Sequence, residues 1–321
     1  MEPEASISDP LASLLGDRPF AVLDGALATE LERRGADLDG PLWSARCLLE
    51  QPELIRAVHA DYFDAGADVA TTATYQASFE GFARRGVPRD AAEALMRHAV
   101  ALARAARDEF WSQHAARPRP LVAASVGPYG AMLADGSEYR GRYAASDREL
   151  AAFHRGRLAI LCDAGADLLA VETLPCLREA LIVAELVEEL DGPPAWISFS
   201  CRDDAHTSEG DEVGDCAAAL DGYARIAAIG VNCTAPVHVR ALLDRMRART
   251  AKPLLAYPNS GRRYDALARG WTGPKDRTPF AAYAREWLRA GARLIGGCCG
   301  TTPADIREIS RLSRDWSRSR P

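Results

Sequence analysis

The chain has 321 residues, of which 48% are hydrophobic, and a formal net charge of -6 at pH 7. Its basic residues are scattered, which disfavours a nucleic-acid or anionic-membrane partner, and its length allows one large domain or two smaller ones. The N-terminus lacks the basic and apolar regions of an export signal, and no apolar run approaches the length of a membrane span. We therefore expect a soluble, cytoplasmic protein.

Short apolar runs alternate with longer segments of helical periodicity, and eight such pairs follow one another along the chain. The predicted strands cover 20–24, 69–75, 121–127, 168–174, 195–200, 226–233, 254–260 and 294–299. The predicted helices cover 53–65, 89–116, 147–164, 177–190, 214–222, 237–249, 279–290 and 303–317. Gly66, Gly165 and Gly291 each lie after a helix and before a strand, where a left-handed residue commonly ends a helix.

Eight successive β/α units favour an α/β fold of the closed (β/α)8 type, a TIM barrel, over an open doubly wound sheet. No glycine-rich dinucleotide-binding fingerprint follows the first predicted strand. We predict a single domain over residues 1–321, in which residues 1–18 are an N-terminal extension. Active sites of such barrels lie at the carboxyl ends of the strands, and functional residues are therefore expected there.

Three of the eight cysteines lie at the ends of predicted strands. Cys233 ends the sixth strand, and Cys298 and Cys299 end the eighth strand between glycines. Strands six and eight of a barrel are separated by one neighbour, so their ends can converge on one ion. Three cysteines with a fourth position left open favour a catalytic zinc site. Packing or a redox role for the Cys298–Cys299 pair is the alternative.

The backbone at Cys298 and Cys299 must leave the regular strand if both residues are to bind one metal, because consecutive strand residues point to opposite faces. The flanking glycines permit such a departure. Three thiolates make zinc a poor Lewis acid for water but suit a thiol substrate, whose pKa zinc would lower. The pattern therefore indicates alkyl transfer to sulfur.

Several motifs along the chain resemble those of a single protein family. They are Asp-Gly-Ala-Leu-Ala-Thr-Glu-Leu-Glu at 24–32, Leu-Trp-Ser-Ala at 42–45, Thr-Tyr-Gln-Ala-Ser at 74–78, Ser-Val-Gly-Pro-Tyr-Gly at 125–130, Glu-Thr-Leu-Pro at 172–175, Gly-Val-Asn-Cys at 230–233, Tyr-Pro-Asn-Ser-Gly at 257–261 and Gly-Gly-Cys-Cys-Gly-Thr at 296–301. With these motifs the chain resembles the homocysteine S-methyltransferase family, zinc enzymes on a (β/α)8 barrel. It is most similar to the cobalamin-independent branch that uses S-methylmethionine or S-adenosylmethionine.

The resemblance implies one zinc ion per chain, held by Cys233, Cys298 and Cys299 with the homocysteine sulfur as fourth ligand, and neither cobalamin nor folate. It assigns the ammonium group of homocysteine to Asp24 and Glu172, which from the residues alone would be turn or capping carboxylates. The remaining homocysteine-binding residues predicted are Asn232 and, through backbone amides facing the carboxylate, Gly25, Ala26 and Leu27.

The methyl donor is expected to lie against aromatic rings, because a sulfonium is positively charged. The predicted donor-binding residues are Trp43, Tyr75, Gln76, Tyr129, Thr173 and Asn259. In betaine-using relatives, tyrosines occupy the positions of Gln76 and Thr173, so these two residues disfavour betaine.

We therefore predict a homocysteine S-methyltransferase that depends on positioning and thiolate activation, with no catalytic residue beyond the zinc site. The alternatives are a methyltransferase acting on selenocysteine or another small thiol, a betaine-using enzyme, and a zinc- or thiol-sensing barrel without turnover. The sequence leaves the preferred donor and the oligomeric state open.

Overall fold

The computed structural model describes residues 9–16, 18–37, 43–265 and 270–318, except the side chains at 43–46, 263, 265, 270 and 316–318. Eight parallel strands form one sheet: β1 (Ala21–Val22), β2 (Val69–Thr71), β3 (Leu121–Val126), β4 (Leu168–Leu174), β5 (Ala195–Phe199), β6 (Ile226–Asn232), β7 (Leu254–Tyr257) and β10 (Ala292–Ile295). A parallel bridge between Leu23 and Val69 joins the first strand to the second. The predicted (β/α)8 barrel is confirmed.

A long helix follows each barrel strand on the outside: α4 (Pro52–Ala65), α6 (Arg89–Gln113), α8 (Asp147–Cys162), α9 (Leu177–Leu190), α10 (Val213–Leu220), α11 (Pro236–Arg247), α12 (Phe280–Arg289) and α13 (Pro303–Arg318). Shorter elements lie between them: α1 (Pro10–Leu15), α2 (Leu27–Arg33), α3 (Trp43–Glu50), α5 (Phe79–Ala83), α7 (Tyr129–Leu133), and an antiparallel hairpin of β8 (Arg263–Asp265) and β9 (Gly270–Thr272). Within the described ranges, no helix has the length and apolarity needed to cross a bilayer.

The core has an outer and an inner part. The outer part lies between the strands and the helices around them. The inner part fills the barrel with residues such as Trp196 and Leu294, and it includes Leu11, Leu14 and Leu15 of α1. The described portion of the predicted N-terminal extension is therefore a helix packed into the barrel core.

The three glycines predicted to end helices adopt the left-handed conformation. The φ angles of Gly66, Gly165 and Gly291 are 107°, 83° and 101°. Each residue allows the chain to turn from an outer helix into the next strand, as the repeated pattern predicts.

Four strands end two or more residues before the predicted boundary at the carboxyl end of the barrel. β1, β2, β7 and β10 end at Val22, Thr71, Tyr257 and Ile295, instead of residues 24, 75, 260 and 299. Beyond each of these ends the backbone leaves the ladder. These predicted boundaries were wrong because tertiary contacts, rather than periodicity, end the strands there. The hairpin β8–β9 was not predicted.

Candidate active site

The three cysteines singled out by sequence lie together at the carboxyl end of the barrel. The Sγ atoms of Cys233, Cys298 and Cys299 are all within 4.8 Å of one another, and those of the adjacent pair are 4.0 Å apart. Cys233 follows β6, and the other two follow β10. We call these three residues the thiol cluster.

The backbone leaves the strand before it reaches Cys298, as a shared metal site requires. β10 ends at Ile295, and backbone hydrogen bonds then hold the turn: the amide of Gly297 donates to Asp24 O at 3.0 Å, and that of Cys298 donates to Pro258 O at 2.8 Å. A Cβ at Gly297 would lie 2.4 Å from Thr301 Oγ1. Glycine is therefore required by close packing at this turn.

The turn at Cys233 is also held by neighbouring strands. Cys233 has a left-handed backbone, with φ 47°, and its amide donates to Tyr257 O at 3.1 Å. Asn259 Nδ2 donates to Cys233 O at 3.1 Å, and Asn259 Oδ1 accepts from the amide of Gly261 at 2.8 Å. The side-chain amide of Asn259 thus holds the backbone at Cys233 and positions that thiol. Contact between Asn259 and the methyl donor stays a prediction.

The thiols of the cluster differ electrostatically from the other buried cysteines. Burial raises the pKa of Cys162 to about 11 and that of Cys176 to about 12. Burial also opposes ionisation of Cys233, but hydrogen bonds from Cys298, Cys299 and the Tyr139 hydroxyl outweigh it and lower the pKa of Cys233 well below its usual range. Ionised Cys233 in turn raises the pKa of the two neighbouring thiols.

The donor set fits a metal ion. Three thiolates within 4.8 Å repel one another, and a divalent cation among them removes that repulsion. All eight cysteines are free thiols. Within the described residues, the thiol cluster is the group of potential ligands whose atoms lie close enough to share one ion.

Tyr139 belongs to the site but was missed by the sequence analysis. Its hydroxyl lies 3.2 Å from Cys233 Sγ, and it ends a short 3₁₀ helix, Ser137–Tyr139, in the loop between β3 and α8. Nothing in the local sequence distinguishes this loop from other connections, because its place at the site depends on the path of the whole segment.

Asp24 and Glu172 are two buried carboxyls, Asp24 just after β1 and Glu172 in β4. Asp24 is buried, and its carboxylate accepts from the amide of Thr71 at 2.8 Å. Glu172 is buried and accepts from the hydroxyl of Ser125. Burial raises the pKa of Glu172 to about 8 and that of Asp24 well above its usual range, and the charge of Cys298 adds to both effects. This concentration of acidic groups favours a cationic ligand.

A β-bulge in β4 orients Glu172. The register with β5 shifts between Val171 and Leu174, and Thr173 is left-handed, with φ 62°. Asn232 holds this conformation at both ends of its amide: Oδ1 accepts from the Thr173 amide and Nδ2 donates to Thr173 Oγ1, both at 2.7 Å. Bulges commonly redirect side chains near active sites. Direct binding of homocysteine by Asn232, and of the donor by Thr173, stay predictions.

The predicted carboxylate-binding amides lie in the turn after Asp24 and at Leu27, the first residue of α2. The amide of Ala26 donates to Thr301 Oγ1 at 3.3 Å, so a substrate carboxylate would have to replace that bond. The roles of Gly25 and Leu27 remain predictions.

Two predicted donor-binding residues lie in the loop after β2. Burial of its hydroxyl raises the pKa of Tyr75 well above its usual range, and charges on Glu138 and Cys233 contribute. Gln76 is buried: its Nε2 donates to Ala131 O at 3.1 Å, and its Oε1 has no hydrogen-bond partner among the described residues. Donor binding by Tyr75 and Gln76 stays a prediction.

The two remaining predicted aromatics are less closely tied to the site. The Tyr129 ring packs against the rings of Tyr143 and Phe153, with centroids 5.4 and 5.2 Å away. Trp43 begins α3, and its side chain lies outside the described residues. Donor binding by either residue stays a prediction.

With this geometry established, the chain can be compared with known proteins. A family model described as homocysteine S-methyltransferase matches residues 21–313. The chain belongs to the homocysteine S-methyltransferase family. It is 51% identical to the homocysteine S-methyltransferase YbgG of Bacillus subtilis, over 97% of this chain and 98% of that protein. It is 48% identical to the homocysteine S-methyltransferase of Escherichia coli, over 96% and 100% of the two chains.

The family resemblance extends to three-dimensional structure. The crystal structure of the homocysteine methyltransferase MmuM from Escherichia coli, in its metallated form, superposes with a TM-score of 0.86 and 47% identity. The match covers 94% of this chain and 99% of that one. That homocysteine methyltransferase therefore has a metallated form on the same fold.

Proposed function

We propose that this protein is a zinc-dependent enzyme that transfers a methyl group from a sulfonium donor, S-methylmethionine or S-adenosylmethionine, to the sulfur of L-homocysteine, forming methionine. The observation that carries the proposal is the thiol cluster beside the buried Asp24–Glu172 pair. The thiol cluster suits a metal and a thiol substrate, and the two carboxyls suit an ammonium group. Neither cobalamin nor folate takes part, because the methyl group comes directly from the sulfonium.

Cys233, Cys298 and Cys299 would hold the zinc ion. Zinc prefers sulfur ligands in a tetrahedral arrangement, and three protein ligands leave one position for the substrate. When bound there, zinc lowers the pKa of the substrate thiol so that it ionises at neutral pH. The chain itself fixes the three Sγ atoms through the turns that follow β6 and β10.

Asp24 and Glu172 would orient homocysteine through its ammonium group. Each carboxyl is already anchored, Asp24 by Thr71 and Glu172 by Ser125, so little side-chain freedom is lost when the ligand binds. Charge-assisted hydrogen bonds to an ammonium group would stabilise the ionised form of both carboxyls. Orientation of the substrate sulfur beside the donor methyl is then the main contribution of these residues.

The reaction transfers one methyl cation equivalent. An electron pair of the homocysteine thiolate forms the new S–C bond, the donor S–C bond breaks, and its electron pair stays on the donor sulfur as a neutral thioether. The thiol proton is released to solvent before transfer. Gln76 and Thr173 occupy positions that carry tyrosine in betaine-using relatives, which supports a sulfonium donor over betaine.

Methionine formation from homocysteine tests the proposal. The zinc-loaded protein is given S-methylmethionine, S-adenosylmethionine or betaine in parallel, with selenocysteine as an alternative acceptor. We expect turnover with at least one sulfonium and none with betaine. Cys298→Ala should lose both zinc and turnover, whereas Glu172→Gln should keep zinc and raise the homocysteine KM by about tenfold or more. Full activity of Cys298→Ala, or a preference for betaine, would contradict the proposal.

A further inference from the structure

Three aromatic rings, none of them among the predicted donor-binding residues, form a group beside the thiol cluster. The ring of Tyr139 lies 5.1 Å from that of Tyr264 and 5.8 Å from that of Trp271, measured between centroids, and the last two are 5.6 Å apart. Tyr264 and Trp271 face each other across the hairpin β8–β9. We call these three residues the aromatic triad. Through Tyr139, whose hydroxyl is 3.2 Å from Cys233 Sγ, the triad adjoins the proposed metal site.

A buried carboxyl with one unpaired oxygen lies next to the triad. Glu138, the residue before Tyr139, is 7% exposed, and its Oε2 has no hydrogen-bond partner among the described residues. Glu138 precedes Tyr139 in the same 3₁₀ helix, Ser137–Tyr139, which places it beside the triad. Burial of a carboxylate oxygen without a hydrogen-bond partner is costly, and a bound cation would offset that cost.

The thiol cluster has two different sides. The aromatic triad meets it at Cys233, through the Tyr139 hydroxyl. Asp24 meets the other chain segment, because the amide of Gly297, the residue before Cys298, donates to Asp24 O at 3.0 Å. Asp24 and the aromatic triad therefore approach the cluster from different chain segments. A reaction between two amino acids at one metal needs two such sides, one for the acceptor and one for the donor.

We propose that the aromatic triad and Glu138 form the binding site for the methyl donor, with the sulfonium against the rings and the donor's ammonium group on Glu138 Oε2. This inference rests on the proposed function, since it supplies the donor side of the same reaction. A sulfonium is attracted to the faces of tryptophan and tyrosine, most strongly where water is excluded. The charge disappears when the methyl group leaves, so the neutral thioether product is held less tightly than the donor.

The site also accounts for donor selectivity. S-methylmethionine and S-adenosylmethionine both carry an ammonium group that can donate to Glu138, whereas the quaternary nitrogen of betaine carries no N–H. Glu138 Oε2 would gain a hydrogen bond from either sulfonium donor but stay unpaired with betaine. A buried acceptor of this kind discriminates strongly between the two kinds of ligand.

Calorimetric binding to the zinc-loaded protein separates the two parts of the site. The probes are S-methylmethionine and trimethylsulfonium, which has the sulfonium but no ammonium group. Trp271→Leu should weaken the binding of both probes about tenfold, and Trp271→Phe should restore most of it. Glu138→Gln should weaken S-methylmethionine about tenfold and trimethylsulfonium much less. Trp111→Leu, which removes an indole from α6, is the matched control and should change neither.

Kinetics of the same variants distinguish failure of the site from failure of the proposed function. In Trp271→Leu and Glu138→Gln, the donor KM should rise about tenfold, while the homocysteine KM and the zinc content stay near wild type. Wild-type turnover with unchanged donor binding in both variants would overturn the site alone. If the sulfonium probes bind in a Trp271-dependent way but no methionine is formed, the donor site is supported and the proposed function is overturned. No binding of either probe to wild type would overturn the site.

Discussion

Asn232 is a single side chain that holds the bend in β4. Its amide bonds both the backbone and the side chain of Thr173, whose φ of 62° is unfavourable for a β-branched residue. Asn232→Ala should release this conformation and shift Glu172, so we expect the homocysteine KM to rise about tenfold. Steady-state kinetics with homocysteine as the varied substrate measure this change.

A second substitution separates positioning from direct binding by Asn232. Glycine adopts the left-handed conformation without strain, so Thr173→Gly should restore much of the homocysteine KM in the Asn232→Ala background. If the double variant is as impaired as Asn232→Ala alone, Asn232 contacts the substrate itself, as the sequence predicts.

His59 is a buried histidine on α4, and both of its ring nitrogens lack hydrogen-bond partners among the described residues. Burial lowers its pKa from 6.5 to about 4. Between pH 6.5 and about pH 4, His59 binds a proton in the unfolded chain but not in the folded protein. Its contribution to the free energy of unfolding is therefore fully present above pH 6.5 and declines as the pH falls. At pH 5 we expect a loss of about 2 kcal/mol from this group.

Urea unfolding at pH 7.5 and pH 5 measures the contribution of His59. His59→Leu should remove most of this pH dependence, because leucine cannot bind a proton. His98→Leu, at an exposed position on α6, is the control and should leave it in place. An unchanged pH dependence in His59→Leu would assign the loss to other groups.

At the scale of elements, α1 is a structural part of the barrel. Leu11 is 1% exposed, and the helix begins with Asp9, whose Oδ1 accepts from the Leu11 amide at 2.9 Å. We expect Leu11→Ala to lower the free energy of unfolding by about 2 to 4 kcal/mol. Leu49→Ala, at a position that is 46% exposed, should change it by less than about 0.5 kcal/mol. Denaturant unfolding of both variants tests this; equal effects would mean that α1 adds no more stability than a surface residue.

The elements that could be predicted from the sequence are those with long periodic patterns. The α6 helix is an example: apolar residues recur along Arg89–Gln113 and face the barrel, so local pattern and tertiary packing agree. The short 3₁₀ helix Ser137–Tyr139 and the hairpin β8–β9 have no such pattern. Their positions depend on contacts with distant residues, which a single sequence does not reveal.

At the scale of the whole molecule, the proposed zinc ion would link β6 to β10 through the thiol cluster. A ligand that binds only the folded state stabilises it by mass action. We expect removal of zinc with a chelator to lower Tm by about 5 to 10 °C, and readdition of zinc to reverse the change. Differential scanning calorimetry with metal analysis measures both quantities.

The cysteines offer matched variants for this measurement. Cys298→Ser should abolish the zinc-dependent change in Tm, whereas Cys162→Ser, outside the cluster, should retain it. Loss of zinc without any change in Tm would show that the site contributes nothing to the stability of the barrel.

The extent to which the site could be predicted also follows from the whole fold. The thiol cluster was predictable because the barrel brings together the carboxyl ends of strands and because glycines frame Cys298 and Cys299. Glu138 and Tyr139 were not, since they lie in the middle of a connection whose course is set by many distant contacts. The order of predicted strands therefore identifies metal ligands at strand ends. It does not identify residues that long connections place beside those ligands.

The position of α1 has a consequence for the order of assembly. The leucines of α1 belong to the same buried cluster as Leu294 on β10, the last strand of the barrel to be synthesised. At about 5 to 20 residues per second, ribosomes need roughly 15 to 60 seconds to make the chain between them. Complete burial of α1 therefore waits until β10 has been synthesised, and until then part of its apolar face must be covered by transient contacts.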